Sequence, residues 1–320
     1  AGVFSDERDW LIRQTDYGGL EAVSEGELKP LPPIGPLAAD GRDTVLLSTE
    51  GQLAWTPGMD RLVEAGEWAQ EIHVQTLGET GDSLVLHLSD DIREMYYRPI
   101  SWVPGTRLIL AGRGLLSASL WADGVPLVTI DGESGEVREL GVTILLTSKA
   151  YDWHPTQPGL LALAAGGGRF INENKRLALL DVTSGDLRYL TEEDEAVLAP
   201  AWSPDGELLA YARVPAWSGA MGEGETMEST LEGRAIFVVD PTTGESHALT
   251  EPGEAIDGWP RWSADGEQLL YTRQREGQTE VRVVAVDGSG DEVLVRGLED
   301  PMCFYGGCAW DSMVGYAAGE

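Results

Sequence analysis

The feature of the sequence that most constrains the fold is a fourteen-residue segment that occurs twice. It reads PAWSPDGELLAYAR at residues 200–213 and PRWSADGEQLLYTR at residues 260–273. Each copy has Pro and Trp, then Ser, a turn that ends in Asp-Gly, and a hydrophobic run that contains Tyr. Self-similarity of this kind indicates a repeat architecture, in which each unit buries its apolar face against its neighbours.

Weaker copies of the segment are recognised by a Trp that precedes a turn. The anchors are Trp55, Trp102, Trp153, Trp202, Trp262 and Trp310. Successive anchors are 47, 51, 49, 60 and 48 residues apart, so the chain holds six units of one period. The long gap reflects an insertion at 214–234 in the unit that begins at Trp202.

Each unit contains short apolar runs, which are the pattern of strands. The runs are five to eight residues long, rich in Val, Leu, Tyr and Thr, and bounded by Gly, Asp and Pro. Asp-Gly and Thr-Gly pairs predict tight turns, because Gly adopts positive φ at little cost. The Asp that ends the third run predicts a carboxylate that caps the next turn. Four antiparallel strands in each of six units predict an all-β chain, a six-bladed β-propeller.

These motifs resemble the propeller repeats of the TolB family, which also occur in prolyl-oligopeptidase-type peptidases. The resemblance is carried by PAWSPDGELLAYAR with AIFVVDPTTGESHALT (235–250), and by PRWSADGEQLLYTR. It implies one propeller domain over residues 1–320. Residues 1–52 resemble outer strands and CAWDSMVGYAAGE (308–320) resembles inner strands. We therefore expect the N- and C-terminal segments to close the ring by pairing in one blade.

The net charge of the chain argues against nucleic acid as a partner. Its 22 basic and 54 acidic residues give a net charge of −32. Nucleic-acid binding needs clustered Lys and Arg, so we expect no nucleic-acid partner. The charge favours a soluble monomer, and no apolar run approaches the roughly 18 residues of a membrane span. The sequence begins without Met. Removal of a signal peptide would produce such a start, and with the TolB resemblance it predicts a secreted, periplasmic or cell-envelope location.

Common catalytic motifs are missing from the sequence. It has no G-x-S-x-G, no H-E-x-x-H and no phosphate-binding loop. The peptidase domain that follows related propellers is therefore expected to be absent, and we expect no catalytic residues and no cofactor. Acidic connections between units, such as SDDIREMYYRP (89–99) and TEEDEAVLAP (191–200), could still hold Ca²⁺ or another divalent cation in the central tunnel.

The two Cys residues of the chain, Cys303 and Cys308, form a disulfide candidate. They stand five residues apart across Gly-Gly in CFYGGC, which can close a small loop in an oxidising compartment. Two Cys do not make a structural zinc site, which takes about four ligands.

Candidate binding residues lie where the repeat is broken. The loops between second and third strands, and the connections between blades, share one face of a propeller and are long here. Function often resides on such loops. Aromatic and cationic side chains favour recognition. The candidates of this kind are Arg98, Lys149, Tyr151, Trp217, Trp259, Arg261 and Tyr305.

Two functions remain open at this point. The first is a non-catalytic binding or scaffold propeller that recognises a protein, a peptide or a small polar ligand at the tunnel mouth. The alternative is a metal-dependent hydrolase, lactonase or sugar lyase with its site in the central tunnel. The alternative needs convergent metal ligands, whereas the sequence offers acids without a clear His or Asn set.

Overall fold

The structure, a computed structural model, consists of β-strands and one short 3₁₀ helix, Ser229–Leu231, in its described part. It describes residues 2–5, 10–14, 20–24, 27–30, 44–48, 51–56, 66, 68–76, 83–115, 124–145, 150–217, 226, 229–298, 303–304 and 307–308. For the strands before residue 46 and after residue 302, the description covers the backbone.

Consecutive strands pair antiparallel, and we call each group of four a blade. Blades 1, 2, 5 and 6 are separate four-stranded sheets, whereas blades 3 and 4 form one eight-stranded sheet through the pairing of Ile144 with Ala165. Blade 1 contains β1 (Gly2–Ser5), β2 (Trp10–Gln14), β3 (Leu20–Ser24) and β4 (Glu27–Pro30). Blade 2 contains β5 (Thr44–Leu47), β6 (Gln52–Thr56), β7 (Gln70–Thr76) and β8 (Leu84–Ser89). Blade 3 contains β9 (Tyr96–Trp102), β10 (Leu108–Gly114), β11 (Val125–Asp131) and β12 (Val137–Ile144).

The second half of the chain continues the same pattern. Blade 4 contains β13 (Tyr151–Trp153), β14 (Leu160–Ala165), β15 (Arg176–Asp181) and β16 (Leu187–Tyr189). Blade 5 contains β17 (Glu195–Trp202), β18 (Leu209–Pro215), β19 (Ala235–Val239) and β20 (Ser246–Ala248). Blade 6 contains β21 (Ile256–Trp262), β22 (Gln268–Arg275), β23 (Gln278–Ala285) and β24 (Glu292–Leu298), and a hairpin of β25 (Cys303–Phe304) and β26 (Gly307–Cys308) follows. The fold is therefore all-β and of the β-propeller class, as predicted.

The chain divides into two compact units. The first comprises Ala1–Leu116 and Val128–Glu139, and the second comprises Ser117–Leu127 and Leu140–Glu320. The core of the first unit is built around Trp102 and includes Ile72, Ile109 and Ile130. The single-domain arrangement over residues 1–320 stays a prediction.

Two apolar clusters lie among the described residues of the second unit. One lies around Trp202, which is 6% exposed and packs among side chains of blade 4 and blade 5. The other lies around Tyr271 and Leu269 and includes Ile171, Leu231 and Trp259. Trp202 thus fills the space between neighbouring blades, as the repeat predicts.

The N-terminal region holds a complete sheet. Strands β1 to β4 pair with one another, whereas the sequence predicted outer strands that would share a blade with the C-terminal end. Trp310 lies outside the described residues. Closure of the ring through a shared blade therefore stays a prediction.

Four of the Trp anchors end the first strand of their blades, but Trp55 does not. Trp55 lies in β6, the second strand of blade 2, where it pairs with Val45 and His73. The turn of this blade precedes it: the Gln52 N–H donates to Ser48 Oγ at 2.9 Å, and Gly51 has a φ of 82°. The sequence Thr-Pro-Gly after Trp55 is similar to the turn that follows Trp in the other units. This similarity explains why the sequence wrongly predicted Trp55 at the end of a first strand.

The predicted Asp caps are present. Asp131, Asp181, Asp240 and Asp287 each accept a hydrogen bond from a backbone N–H two residues ahead, at 2.7 to 3.0 Å. At Asp240 the N–H groups of Thr242 and Thr243 hold the pKa of the carboxyl below its usual value, because they stabilise the charged form. These residues belong to turns, so the architecture explains them.

Blade 6 contains a buried ion pair on adjacent strands. Asp257 on β21 is 1% exposed and lies opposite Arg273 on β22. Arg273 donates from Nε and Nη2 to the two carboxylate oxygens, at 2.7 Å each. The Arg234 Nε–H donates to the Asp257 carbonyl at 2.7 Å, and burial lowers the pKa of Arg234 to about 10.

We expect Arg273→Met to lower the free energy of unfolding by about 3–5 kcal/mol, because it leaves the Asp257 carboxylate buried without its bidentate partner. The control is Arg275→Met on the same strand, whose exposed pair with Glu254 contributes about 0–1 kcal/mol. Urea unfolding monitored by fluorescence measures both. Equal losses would contradict the buried role of Asp257.

Candidate binding site

The repeated segment folds into one turn in blades 5 and 6. The Ser203 N–H donates to the Leu208 carbonyl, and the Leu208 N–H donates back to Ser203 Oγ, both at 2.9 Å. The Ser203 hydroxyl donates to Asp205 Oδ1 at 2.6 Å. This hydroxyl lowers the pKa of Asp205, with a contribution from the backbone N–H of Glu207.

Blade 6 repeats the turn with the same contacts. The Ser263 N–H donates to the Gln268 carbonyl at 2.9 Å, and the Gln268 N–H donates to Ser263 Oγ at 3.0 Å. The Ser263 hydroxyl donates to Asp265 Oδ1 at 2.5 Å. Because each short side chain is fixed by two or three hydrogen bonds, the turn presents the residues before it at the same place in each blade.

A pocket of about 260 Å³ lies where these turns meet in the second unit. We call it the Trp pocket. It is lined by Asp152, Trp153, Pro155, Ala201, Trp202, Ser203, Pro204, Arg261, Trp262, Ser263 and Ala264. The lining is one short motif taken from three consecutive blades: a variable residue, Trp, and the first residues of the turn.

Hydrogen bonds between blades hold the walls of the Trp pocket together. The Trp262 indole N–H donates to the Ala201 carbonyl at 2.9 Å, which joins blade 6 to blade 5. The Trp202 backbone N–H donates to Asp152 Oδ2 at 2.8 Å, which joins blade 5 to blade 4. Trp202 and Trp262 therefore have both a packing role and a hydrogen-bonding role at this site.

His154 takes the place of the turn Ser in blade 4. It is 6% exposed, and its Nδ1 accepts the N–H groups of Thr156 at 3.1 Å and Gln157 at 3.0 Å. The proton therefore resides on Nε2, which donates to the Gly206 carbonyl of blade 5 at 3.1 Å. Its ring packs against Trp202 with centroids 4.5 Å apart. Burial lowers the pKa of His154, against an opposing contribution from the Gly206 carbonyl.

Two opposite charges stand in the lining. Asp152 and Arg261 are both half-buried, and each directly precedes the Trp of its blade. The residue in the same position of blade 5 is Ala201, which is buried. The walls of the pocket are thus mainly aromatic and prolyl, with one acid and one base.

Arg261 is a candidate residue that the structure places in the Trp pocket. Tyr151 precedes Asp152 on β13 and is half-buried, and Arg98 lies on β9 in the first unit. Trp259 is 6% exposed and packs with the core around Tyr271, so its side chain is internal in this structure. The pocket lies at the turn end of the blades, whereas the sequence favoured the opposite face.

Trp217 lies near the start of the insertion and is attached to blade 4. Its N–H donates to the Asn172 carbonyl at 2.8 Å, and its ring meets Phe170 edge to face with centroids 4.9 Å apart. The Asn172 amide donates to Thr230 Oγ1 at 2.7 Å, near the other end of the insertion. Both described ends of the insertion therefore contact the same loop of the preceding blade.

Other candidates lie outside the described residues. Lys149 and Tyr305 are among them. The backbone of Cys303 stands opposite that of Cys308 in the final hairpin, but the side chains of the disulfide candidate fall outside the description.

Lys175 is a buried residue that sequence reasoning missed. It is 2% exposed, and its ammonium group donates to the carbonyls of Gly167, Gly168 and Glu173. Burial lowers its pKa to about 8. Gly166 has to be glycine here, because a Cβ would come within 1.8 Å of the Asn174 carbonyl oxygen. The three consecutive Gly residues at 166–168 are the sequence feature that could have indicated a loop folded around the Lys175 ammonium group.

Within the described ranges, no three His, Cys, Asp or Glu side chains come together as a set of metal ligands. The divalent cation of the tunnel stays a prediction. None of the described residues belongs to a helix that is long and apolar enough to cross a membrane.

Comparison with known proteins supports the fold. No family model matches the chain. Over 91 residues the chain is 34% identical to the Tol-Pal system protein TolB 1 of Novosphingobium aromaticivorans. That match covers 28% of this chain and 16% of the relative, so it spans a small part of both.

Solved structures resemble the chain over most of its length. A prolyl endopeptidase has a TM-score of 0.58 at 14% identity, over 96% of this chain and 44% of that one. An oligogalacturonate lyase in complex with manganese has a TM-score of 0.53 at 14% identity, over 89% and 76%. A puromycin hydrolase has a TM-score of 0.52 at 17% identity, over 92% and 44%. At such identities the likeness concerns the fold alone.

The contact between His154 and Gly206 predicts unequal effects of two similar substitutions. Gly206 and Gly266 have φ values of 77° and 74°, so Ala costs about 1 kcal/mol at either. A Cβ at Gly206 would lie 2.3 Å from the His154 ring, whereas at Gly266 the nearest atom is 3.6 Å away. We expect Gly206→Ala to lower the free energy of unfolding by at least about 1 kcal/mol more than Gly266→Ala. Urea denaturation of both variants measures the difference, and equal losses would refute the contact.

His154 also predicts a dependence of stability on pH. Its pKa is lowered in the folded state, so the unfolded chain binds the proton first as pH falls below about 6.5. This contribution to stability is complete above that pH and is lost below it, by at most about 1.4 kcal/mol per pH unit.

The measurement is urea unfolding at pH 7.0 and pH 5.5 for the wild type and His154→Ser, which restores the turn residue of the other blades. We expect a smaller pH dependence in the variant. The same pH dependence in both proteins would show that His154 is not responsible.

Proposed function

We propose that this chain is a non-catalytic binding propeller that recognises a protein partner through a peptide segment seated in the Trp pocket. The observation that carries the proposal is the pocket itself, in which three indoles and two prolines surround one acid and one base. Aromatic side chains and Arg are the residues that most often dominate binding energy at protein interfaces.

The size of the pocket supports a peptide rather than a separate small molecule. Its volume of about 260 Å³ is below the range of about 300–1,000 Å³ typical of small-ligand sites. A pocket of this volume suits one or two side chains of a larger partner, whose remaining contacts lie around the rim. The net charge of −32 would steer a basic partner towards the chain.

The similarity to TolB supports the same class of function. The relative is named as a protein of the Tol-Pal system, and we extend from that name to a protein partner for this chain. Our proposal includes a secreted, periplasmic or cell-envelope location. The alternative, a metal-dependent hydrolase, lactonase or sugar lyase, would need metal ligands beyond those that the described residues bring together.

The test is affinity capture from an extract of the source cells with the wild type and two variants. Trp153→Ala removes an indole from the Trp pocket, and Tyr189→Ala removes a 44% exposed ring from β16 of the same blade. We expect Trp153→Ala to lose a captured protein that the wild type and Tyr189→Ala retain, by at least about tenfold in amount. Circular dichroism checks that both variants fold. Retention by Trp153→Ala would overturn the proposed site.

A further inference from the structure

We propose that β24, the outer strand of blade 6, is an interface at which two copies of this chain pair antiparallel to form a two-fold symmetric dimer. The inference goes beyond the proposed function, because β24 lies at the opposite edge of its sheet from β21, whose end lines the Trp pocket. The strand reads Glu-Val-Leu-Val-Arg-Gly-Leu over Glu292–Leu298.

The first observation is that β24 is an apolar edge strand. Blade 6 has the sheet order β21, β22, β23 and β24, so β24 pairs with β23 on one side and with no described strand on the other. The backbone N–H and C=O groups of such an edge are a template for pairing with another chain. Leu294 and Val295 in the middle of the strand are 54% and 45% exposed.

The outer strands of the two preceding blades are less suited to pairing. Strands β16 and β20 have three residues each, and β20 reads Ser-His-Ala. Short edge strands are a common protection against pairing between chains, whereas β24 has seven residues and contains neither Pro nor Lys. Leu84 and Val85 of β8 are also exposed, but β8 has no acid and base that would fix a register.

The second observation is that β24 is complementary to itself in one antiparallel register. Pairing centred on Leu294 places this residue opposite Leu294 of the second copy, and Val293 opposite Val295. Glu292 then stands opposite Arg296 at both ends of the apolar segment. Apolar pairs and pairs of opposite charge are the cross-strand combinations that stabilise a sheet.

Neighbouring registers lack this complementarity. A centre at Val293 places Leu294 opposite Glu292, and a centre at Val295 places Leu294 opposite Arg296. Each of these registers sets the most exposed apolar side chain of the strand against a charge. The sequence therefore favours the register centred on Leu294.

The two charged residues of the segment are accessible to a second copy. Arg296 is 74% exposed, and its Nε lies 3.4 Å from Glu280 Oε1. This contact uses one guanidinium nitrogen, and an exposed pair of this kind holds its side chains weakly. Glu292 is exposed.

The next acid along the chain does not oppose the pairing. Asp291 accepts hydrogen bonds from the Tyr271 hydroxyl at 2.8 Å and from Arg282 Nε at 2.9 Å, within its own blade. In the register centred on Leu294 it stands opposite Gly297 of the second copy. No two like charges of the segment 291–297 therefore face each other directly.

The net charge of −32 favours a monomer, so the dimer depends on salt. At an ionic strength of about 0.15 M the Debye length is about 8 Å. Most charges of the two copies are then screened from each other, whereas charges directly opposite in paired strands lie within this length. We therefore expect a reversible dimer that is stronger at about 0.15 M NaCl than at about 0.01 M NaCl.

The test is sedimentation velocity of the full chain over a series of concentrations up to about 0.3 mM, which detects a Kd of about 1 mM or tighter. Arg296→Glu sets two acids opposite each other at both ends of the segment. The double variant Glu292→Arg with Arg296→Glu exchanges acid and base, so it restores the pairs and keeps the net charge of the wild type. Leu294→Lys sets two ammonium groups against each other at the two-fold axis.

Arg275→Glu is the matched control. It makes the same change in net charge as Arg296→Glu, at an exposed site of β22 in the same blade. Circular dichroism checks that every variant folds, which the exposure of positions 292, 294 and 296 favours.

We expect the wild type and Arg275→Glu to dimerise with a Kd that agrees within about threefold. Arg296→Glu and Leu294→Lys should each weaken the dimer by at least about tenfold, because symmetry applies each change twice. The double variant should regain most of the affinity that Arg296→Glu loses.

Three results would overturn the inference. The first is a wild type that stays monomeric over the whole series. The second is a dimer that Arg296→Glu and Leu294→Lys leave intact, since it would form elsewhere on the chain. The third is a double variant as weak as Arg296→Glu, which would exclude the antiparallel register centred on Leu294.

Discussion

The hydrogen bonds that join the first strand of one blade to the next are the constraint on which the rest of the site depends. The Trp262 indole reaches the Ala201 carbonyl, and the Trp202 N–H reaches Asp152. Each hydrogen bond joins one blade to the preceding blade, and its acceptor is the residue directly before the Trp of that preceding blade. Because the bonds use one position of the repeat, three turns that are distant in sequence converge on one pocket.

Residues that repeat from blade to blade maintain the fold, whereas residues that differ between blades distinguish the site. Ser203 and Ser263 close their turns in the same way, so they report architecture. His154 performs the same task in blade 4 with a ring nitrogen and adds a bond to the Gly206 carbonyl. Asp152 and Arg261 carry opposite charges at one position of the repeat, where the Asp152 carboxylate also accepts the Trp202 N–H. The proposed function rests on the Trp pocket, whose lining combines the repeated Trp residues with these departures.

Sequence reasoning predicted the strands of blades 3 to 6, the Asp caps and the propeller class, because these follow from local alternation and turn chemistry. It did not predict which side chains of a strand point into the core and which point to solvent. Trp259 has a φ of 58° inside a bulge between Gly258 and Arg261, where the alternation of faces along the strand is interrupted, so that alternation does not predict its buried side chain. The convergence of three turns depends on distant contacts, for which one sequence has no direct signal.

In the proposed function, a protein partner places a peptide segment in the Trp pocket. The most direct measurement is photo-crosslinking with benzoylphenylalanine placed at Ala264, an exposed residue of the lining, and at Tyr189, an exposed residue of β16. We expect a covalent adduct with the captured partner from position 264 and none from position 189. An adduct from position 189 with none from position 264 would contradict it.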